Sequence, residues 1–345
     1  MNEILQQLTE ASGVAGDEKE VRLLIRDLIE GHVDEWQVDT MGNLLAVKRG
    51  SGASEMRVLV DAHMDEVGLL VTEIDSDGTL KFLPVGGISP RTLLGKVVKV
   101  GRKGLTGVIG ARPIHLLKAS QRDSIVKTES MRIDIGAKKK EDATKKVKVG
   151  DKATFATRYE ENGATAMGKA FDDRAGCAVL IELLRGEPYP FDLHAAFTVQ
   201  EEVGLRGATV AAYATKPDVA LVLECTPAYD LPNERDVSPN VMLGQGPAVY
   251  VMDRVTIQDP RLVRHIMRTA EKNEIPFQIR QPGGGGTNTA VIQRATTGIP
   301  AATIATPARY VHAPTGMINL DDFNNVIRLA DATLRTLDAS LFERT

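Results

Sequence analysis

Histidines and carboxylates stand beside apolar runs at five separate places in this chain. Runs such as RVLV, VALVL and AATIAT read as strands, and in α/β sheets the carboxyl ends of strands are where ligands bind. Each residue alone also has a structural explanation, such as a helix N-cap for an aspartate or a solvated loop for paired glutamates. The residues concerned are His63, Asp65, Glu66, Asp172, Asp173, Glu201, Glu202, Glu224 and His312.

Five such positions together are difficult to attribute to capping, because clustered carboxylates repel one another unless a cation lies between them. The sequence therefore predicts a metal site. Two imidazoles and three carboxylates exceed what one tetrahedral zinc ion needs, yet they suit two ions about 3.5 to 4 Å apart with one carboxylate bridging them. Such a pair of ions lowers the pKa of a shared water, so the expected reaction is hydrolysis.

The composition excludes several other classes of protein. The chain has 345 residues, 43% of them hydrophobic, and its 42 basic and 46 acidic residues are interspersed, which gives little reason to expect nucleic-acid or membrane binding. Its start, MNEILQQLTE, lacks the apolar core of a secretory signal, so we expect a cytoplasmic protein. Cys177 and Cys225 lie in apolar runs and are expected to be buried, without a disulfide or a metal.

The elements that must position these residues change in character along the chain. Residues 1–66 and 163–345 alternate helix and strand patterns, which predicts an α/β domain with a mostly parallel central sheet and helices on both faces. Residues 67–162 consist of short apolar runs and turn signals, which predicts an inserted small β module. Asp17 and Glu20 resemble a capping box at the start of the second helix.

The chain resembles the dinuclear metallo-aminopeptidases, a family that includes glutamyl and deblocking aminopeptidases and the tetrahedral (TET) peptidases. Seven motifs occur in the family's order, and they are DAHMDEVG, GKVVKVGRKGLTGVIGARPIH, DIGAKKKEDA, GKAFDDRAG, VQEEVGLRGA, LGQGP and ARYVHAP. The resemblance implies that the insert is a small β-barrel or PDZ-like dimerisation module. Some family members carry the label endoglucanase, which does not fit these residues.

The resemblance also implies roles for single residues. His63 and Glu224 would bind one or other metal, Asp172 would bridge, and Glu202 and His312 would complete the two sites. Glu201 would be the general base. Asp65, two residues after His63 on an extended chain, is expected to accept a hydrogen bond from the imidazole nitrogen that does not hold metal. Glu66 receives no role, His115 in the β module stays a weaker candidate, and His32, His194 and His265 are expected to be structural.

Two residues depart from the family's pattern. Glu224 stands where the family more often has Asp, and Asn288 stands where an Asp usually follows the Gly-rich stretch PGGGGT. The missing charge at Asn288 predicts a preference for neutral aliphatic first residues such as Leu or Met. The glycines are expected to form a tight turn close to the substrate, with Thr287 capping the next helix.

The leading hypothesis is a metal-dependent aminopeptidase that acts on short peptides with a free N-terminus, using two divalent ions (zinc, cobalt or manganese). The alternatives are a deacylase or amidase acting on acylated amino acids, and a peptide-binding scaffold with structural metals. The resemblance further implies a homo-oligomer, a tetrahedral dodecamer built from dimers, whose enclosed sites exclude folded proteins.

Overall fold

The computed structural model describes residues 2–122, 124–230, 241–280 and 283–343. The helices of this part of the chain are α1 Asn2–Glu10, α2 Lys19–Ile29, α3 Ala119–Arg122, α4 Lys140–Thr144, α5 Phe171–Arg185, α6 Arg206–Thr215, α7 Pro260–Lys272, α8 Thr289–Ile292 and α9 Leu320–Arg335. The strands are β1 Glu35–Val38, β2 Leu44–Lys48, β3 Val58–His63, β4 Gly68–Ile74, β5 Leu80–Val85, β6 Val97–Val100, β7 Leu105–Gly110, β8 Arg132–Asp134, β9 Lys152–Phe155, β10 Glu160–Asn162, β11 Thr165–Gly168, β12 Leu193–Thr198, β13 Val219–Pro227, β14 Ala248–Tyr250, β15 Gln278–Arg280, β16 Ala301–Arg309 and β17 Gly316–Asn319.

One large sheet runs in the order β1-β2-β12-β3-β13-β16-β17-β11-β10, with β14 and β15 beside β16. The central strands β12, β3, β13 and β16 are parallel, and the flanking strands on both sides pair antiparallel. Parallel strands align their carboxyl ends, so the residues that end these four strands come to one edge of the sheet.

The central strands are buried on both faces, which explains their nearly continuous apolar sequences. Along β3, Val58, Val60 and Ala62 enter the main core, while Leu59 enters a second core on the opposite face. The main core also contains side chains of α1, α2, α5, α7 and α9, and the second contains those of α6 and α8. Helices therefore cover both faces. Within the described residues, no helix is long and apolar enough to span a membrane.

Strands β4, β5, β8, β7, β6 and β9 close into a six-stranded barrel between β3 and β10. The barrel has its own apolar core, which includes Leu69, Phe82, Val98 and Ile133. A tight turn with Gly78 at φ +87° joins β4 to β5, as the DSDG signal indicates.

The predicted fold class, an α/β sheet interrupted by a β-barrel module, is confirmed. The barrel strands lie within residues 68–155, and β10, at the end of the predicted insert, pairs with β11 in the large sheet. The predicted capping box is wrong: helix α2 has no side-chain cap at Glu18, and the Glu20 carboxylate instead accepts a hydrogen bond from the Ser12 amide. Cys177 and Cys225 are buried and unpaired.

Candidate metal centre

The carboxyl edge of the central sheet collects the predicted ligands from distant parts of the chain. His63 is the last residue of β3, Glu224 lies within the second half of β13, and Glu202 follows β12. Asp172 lies at the start of α5, and His312 follows β16 in a left-handed backbone conformation with φ +60°. The parallel register brings these segments together.

The Asp172 carboxylate lies between the two imidazoles. Its Oδ1 is 3.2 Å from His63 Nε2, and its Oδ2 is 3.3 Å from His312 Nε2. Each carboxylate oxygen thus faces one histidine, which is the arrangement expected of a carboxylate shared between two cations.

Further carboxylates complete a donor set on each side of Asp172. On one side, Glu202 Oε2 is 3.2 Å from His312 Nε2, and on the other Glu224 Oε2 is 3.8 Å from His63 Nε2. Glu201 Oε2 lies 4.0 Å from the same His63 nitrogen. Glu224, which stands where the resembling family more often has Asp, therefore has its carboxylate within the cluster despite its longer side chain.

The donor atoms fit divalent cations. Within the described ranges, three groups have ligand atoms within 4.8 Å of one another: Asp172, Glu202 and His312; His63, Asp173 and Glu224; and His63, Glu201 and Glu202. Glu202 Oε1 is buried and has no hydrogen-bond partner among the described residues, as expected of an oxygen whose partner is a cation. Imidazole and carboxylate donors suit zinc, cobalt and manganese.

Asp65 positions the loop that carries both glutamates. Its Oδ1 accepts the Glu201 amide at 2.9 Å, and its Oδ2 accepts the Glu202 amide at 3.1 Å. His63 Nδ1 is 3.1 Å from the Asp65 main-chain carbonyl and 3.5 Å from Oδ1, so the nearer acceptor is the carbonyl rather than the expected carboxylate. Asp65 thus holds the backbone of Glu201 and Glu202 in place, and it also contacts the His63 ring.

The electrostatics of this cluster favour a bound cation. Burial raises the pKa of Glu201 to about 8 and raises the pKa of Glu224 well above its ordinary value. Burial alone would lower the pKa of the imidazoles, but the facing carboxylates outweigh it and raise the pKa of His312 to about 11 and that of His63 well above its ordinary value. Without cations, the cluster therefore holds protons in their place.

Glu66, which the sequence gave no role, belongs to a buried ion cluster behind the ligands. Lys169 Nζ lies 2.8 Å from both Glu66 oxygens, and Arg174 Nη2 lies 3.5 Å from Oε1. Lys169 and Arg174 flank Asp172 in sequence, and their side chains are at most 3% exposed. The cluster therefore ties the segment after His63 to the start of α5. The sequence analysis did not single out Lys169 or Arg174. Their positions on either side of Asp172 and Asp173 could have indicated that they support the site.

Asp173 is a second residue whose role the sequence did not predict. Its Oδ2 accepts the His63 amide at 3.2 Å, and its Oδ1 accepts the Gly176 amide at 3.0 Å. Burial raises its pKa well above the ordinary value. Asp173 thus holds the end of β3 against the first turn of α5.

A cleft of about 400 Å³ opens beside the cluster. Its wall includes Glu201, Tyr229, Tyr250 and Arg280 together with the glycines at 284–286, so these glycines do lie close to the site. Gly284 has φ +78°, a conformation that favours glycine.

Asn288 does not line this cleft. Its side chain is buried and donates hydrogen bonds to Asp61 Oδ2 at 2.8 Å and Thr198 Oγ1 at 2.9 Å. The side-chain preference predicted from Asn288 therefore loses its structural basis. The Thr287 cap is also wrong, because α8 has no side-chain cap and Thr287 Oγ1 has no hydrogen-bond partner in the described structure.

The remaining histidines lie outside the cluster. His115 is exposed on a short 3₁₀ turn of the barrel module, Ile114–Leu116. His265 on α7 contacts the Thr333 carbonyl at 3.2 Å, which fits a structural role.

The fold and the cluster define an α/β protein with imidazole and carboxylate groups that could hold divalent cations. Residues 42–329 match the M42 glutamyl aminopeptidase family. The lysyl aminopeptidase of Pyrococcus furiosus is 33% identical, over 97% of each chain. Among solved structures, the TET aminopeptidase of Thaumarchaeota archaeon SCGC AB-539-E09 is 37% identical, with a TM-score of 0.94 over 99% of this chain and 97% of its own. The TET1 peptidase of Pyrococcus horikoshii, which can assemble into a tetrahedron or a large octahedral shell, is 34% identical. Its TM-score is 0.87 over 97% of this chain and 99% of its own.

The chain belongs to the M42 glutamyl aminopeptidase family, and the resemblance found in the sequence is confirmed. It is an aminopeptidase, and thus a peptidase hydrolase. M42 peptidases are metal-dependent, and the chain has the acidic and imidazole groups that could hold a metal.

Proposed function

We propose that this aminopeptidase releases the first residue of oligopeptides with the help of two divalent cations. His63, Asp172 and Glu224 would hold one cation, and Asp172, Glu202 and His312 would hold the other. The observation that carries the proposal is the Asp172 carboxylate, whose two oxygens face the two imidazoles at 3.2 and 3.3 Å. When bound, such ions would lower the pKa of a shared water and polarise the scissile carbonyl.

In this proposal, Glu201 is the general base. Its carboxylate lines the cleft and lies 4.0 Å from His63 Nε2, beside the proposed cation site. A general base must lie within hydrogen-bond reach of the proton that it takes. Glu201 would take the proton from the attacking water and deliver it to the leaving amine, while Asp65 fixes its backbone.

The proposal is tested by metal removal and substrate choice. Chelation should abolish the hydrolysis of aminoacyl-nitroanilides, and adding back zinc, cobalt or manganese should restore it. Peptides with a blocked N-terminus and N-acylated amino acids are the matched controls, because a deacylase or amidase would cleave the acylated amino acids. Full activity of the metal-free protein would refute the metal role. Metal binding without any hydrolysis would instead support the scaffold alternative.

We further propose that residues 1–66 and 163–345 form the catalytic domain, and that residues 67–162 form an oligomerisation module. The barrel exposes large apolar side chains, including Leu83, Ile114 and Val149 at 54%, 64% and 63%. Contiguous apolar patches mark interaction sites, and the proposal assigns these side chains to the interface. The tetrahedral assembly of the TET1 relative supports a closed homo-oligomer, which in this proposal is a homododecamer built from dimers.

An enclosed assembly would admit short peptides and exclude folded proteins. Light scattering of the metal-loaded protein should give the mass of twelve chains, and a mass of two chains would refute the dodecamer. Internal cleavage of a long peptide would contradict the exopeptidase mode. The cytoplasmic location expected from the sequence stays a prediction.

A further inference from the structure

The barrel module reaches the metal centre through the loop that follows β5. Gly86 and Gly87 begin this loop, directly after Val85, which pairs with Gly68 at the start of β4. Gly68 in turn follows the segment that carries His63 and Asp65. The loop is thus tied to the ligand-bearing part of the chain.

Two glycines allow this loop to approach the ligands closely. A Cβ atom added to Gly87 would lie 3.2 Å from His312 Nδ1. A Cβ atom added to Gly86 would lie 2.8 Å from Val67 Cγ1 and 3.4 Å from both Glu202 Cβ and Glu202 Oε2. His312 and Glu202 belong to the same half of the proposed metal centre.

The two histidines differ in what fixes their rings. His63 is 1% exposed, and its Nδ1 is 3.1 Å from the Asp65 carbonyl, an acceptor of the kind that orients ligating histidines. His312 is 40% exposed, and no hydrogen bond to its Nδ1 is found among the described residues. The Gly87 backbone lies on this side of the ring, opposite the carboxylates that face Nε2.

The barrel anchors both ends of this loop. Ile88 packs against the barrel core, and the Ser89 carbonyl accepts hydrogen bonds from the amide and the hydroxyl of Thr92, at 3.1 and 2.9 Å. β5 therefore anchors the loop on one side, and this turn anchors it on the other.

We propose that the barrel module positions one half of the metal centre, with Gly86 and Gly87 holding the His312 imidazole and the Glu202 carboxylate in the geometry that binds the second cation. This inference rests on the proposed dinuclear function. It gives the inserted module a role in metal affinity that is separate from assembly, and it makes Gly87 a positioning residue.

The test uses Gly87→Ala, with Gly110→Ala as the matched control. Neither glycine has a positive φ, and a Cβ added at Gly110, at the end of β7 in the same module, meets nothing within 4 Å. Each variant and the wild type are stripped of metal and titrated with cobalt by calorimetry and visible absorption. In Gly87→Ala, the imidazole must move by a few tenths of an ångström, so one of the two affinities should weaken roughly 10- to 100-fold.

The affinity of Gly87→Ala for the other cobalt ion should match that of the wild type. The affinities of Gly110→Ala for both cobalt ions should also match those of the wild type. Activity of Gly87→Ala should recover at higher cobalt concentration. Wild-type affinities in Gly87→Ala would overturn the inference and leave the proposed function standing. A wild type that binds fewer than two ions would overturn the proposed function and this inference together.

Hydrogen exchange keeps the inference testable if Gly87→Ala does not fold. In the wild type, cobalt binding should slow exchange of the backbone amides of residues 86–89, because the second cation fixes the side chains against which the loop packs. Unchanged exchange on metal loading would overturn the inference.

Discussion

Breaking the buried Glu66 cluster should destabilise the protein far more than breaking an exposed ion pair of the same geometry. Glu66→Gln keeps the size of the side chain but leaves the Lys169 ammonium, which is 3% exposed, without its counter-charge. Removing one partner of a buried ion pair costs about 3–5 kcal/mol in the free energy of unfolding. The matched control is Glu73→Gln, because Glu73 pairs with Lys81 at 2.7 Å while 55% exposed, and exposed pairs contribute at most about 1 kcal/mol.

The assay is urea unfolding of both variants and the wild type, each stripped of metal so that cation binding does not mask the change. Glu66→Gln should lower the unfolding midpoint clearly, and Glu73→Gln should leave it nearly unchanged. Adding Lys169→Met to Glu66→Gln removes both charges and should cost less than the sum of the single changes, because the two residues are in contact. Equal midpoints for Glu66→Gln and Glu73→Gln would refute the reasoning.

Three other predictions concern the metal centre and its support. Glu201→Gln should lower turnover by roughly 10² to 10⁴-fold with both cations retained, and kinetics with metal analysis decide it; near-normal turnover would exclude the base role. The facing carboxylates hold the pKa of His312 at about 11 and that of His63 well above its ordinary value. Both imidazoles are therefore protonated at neutral pH in the metal-free protein, and cations must displace those protons. Metal affinity should therefore rise with pH and fall in acid, and calorimetry in buffers of different ionisation enthalpy should show proton release; heats that do not depend on the buffer would contradict this. Asn288→Asp would place a second carboxylate against buried Asp61, whose own pKa is raised by burial to about 7. This change should lower the unfolding midpoint and leave the preferred first residue of the substrate unchanged. A changed substrate preference without loss of stability would contradict this prediction.

The clustering of the proposed ligands could be predicted because its signals are local. An imidazole or carboxylate directly after an apolar run marks a strand end, and parallel pairing brings such ends together without knowledge of the partner strands. The supporting contacts have no comparable signal. Lys169 binds Glu66 across 103 positions of sequence, and Gly87 reaches His312 from another module. Asn288 was misplaced because its position after a glycine turn does not show which face of the sheet its side chain meets.

One carboxylate, that of Asp65, supports both the proposed base, Glu201, and the proposed ligand Glu202. Glu201 and Glu202 lie in the loop after β12, where Glu201 Oε2 is 4.0 Å from His63 Nε2 and Glu202 Oε2 is 3.2 Å from His312 Nε2. Asp65 binds the amides of both, which fixes the two side chains relative to each other and to the end of β3. The same anchor keeps several carboxylates close together, and burial raises the pKa of Glu202 as well as that of Glu201. Cations bound at these carboxylates would relieve the repulsion between them, in the folded state only. They should therefore raise the free energy of unfolding, by about 2.7 kcal/mol at a concentration one hundred times a site's dissociation constant. A midpoint that does not shift on metal loading would show that the cluster does not bind cations.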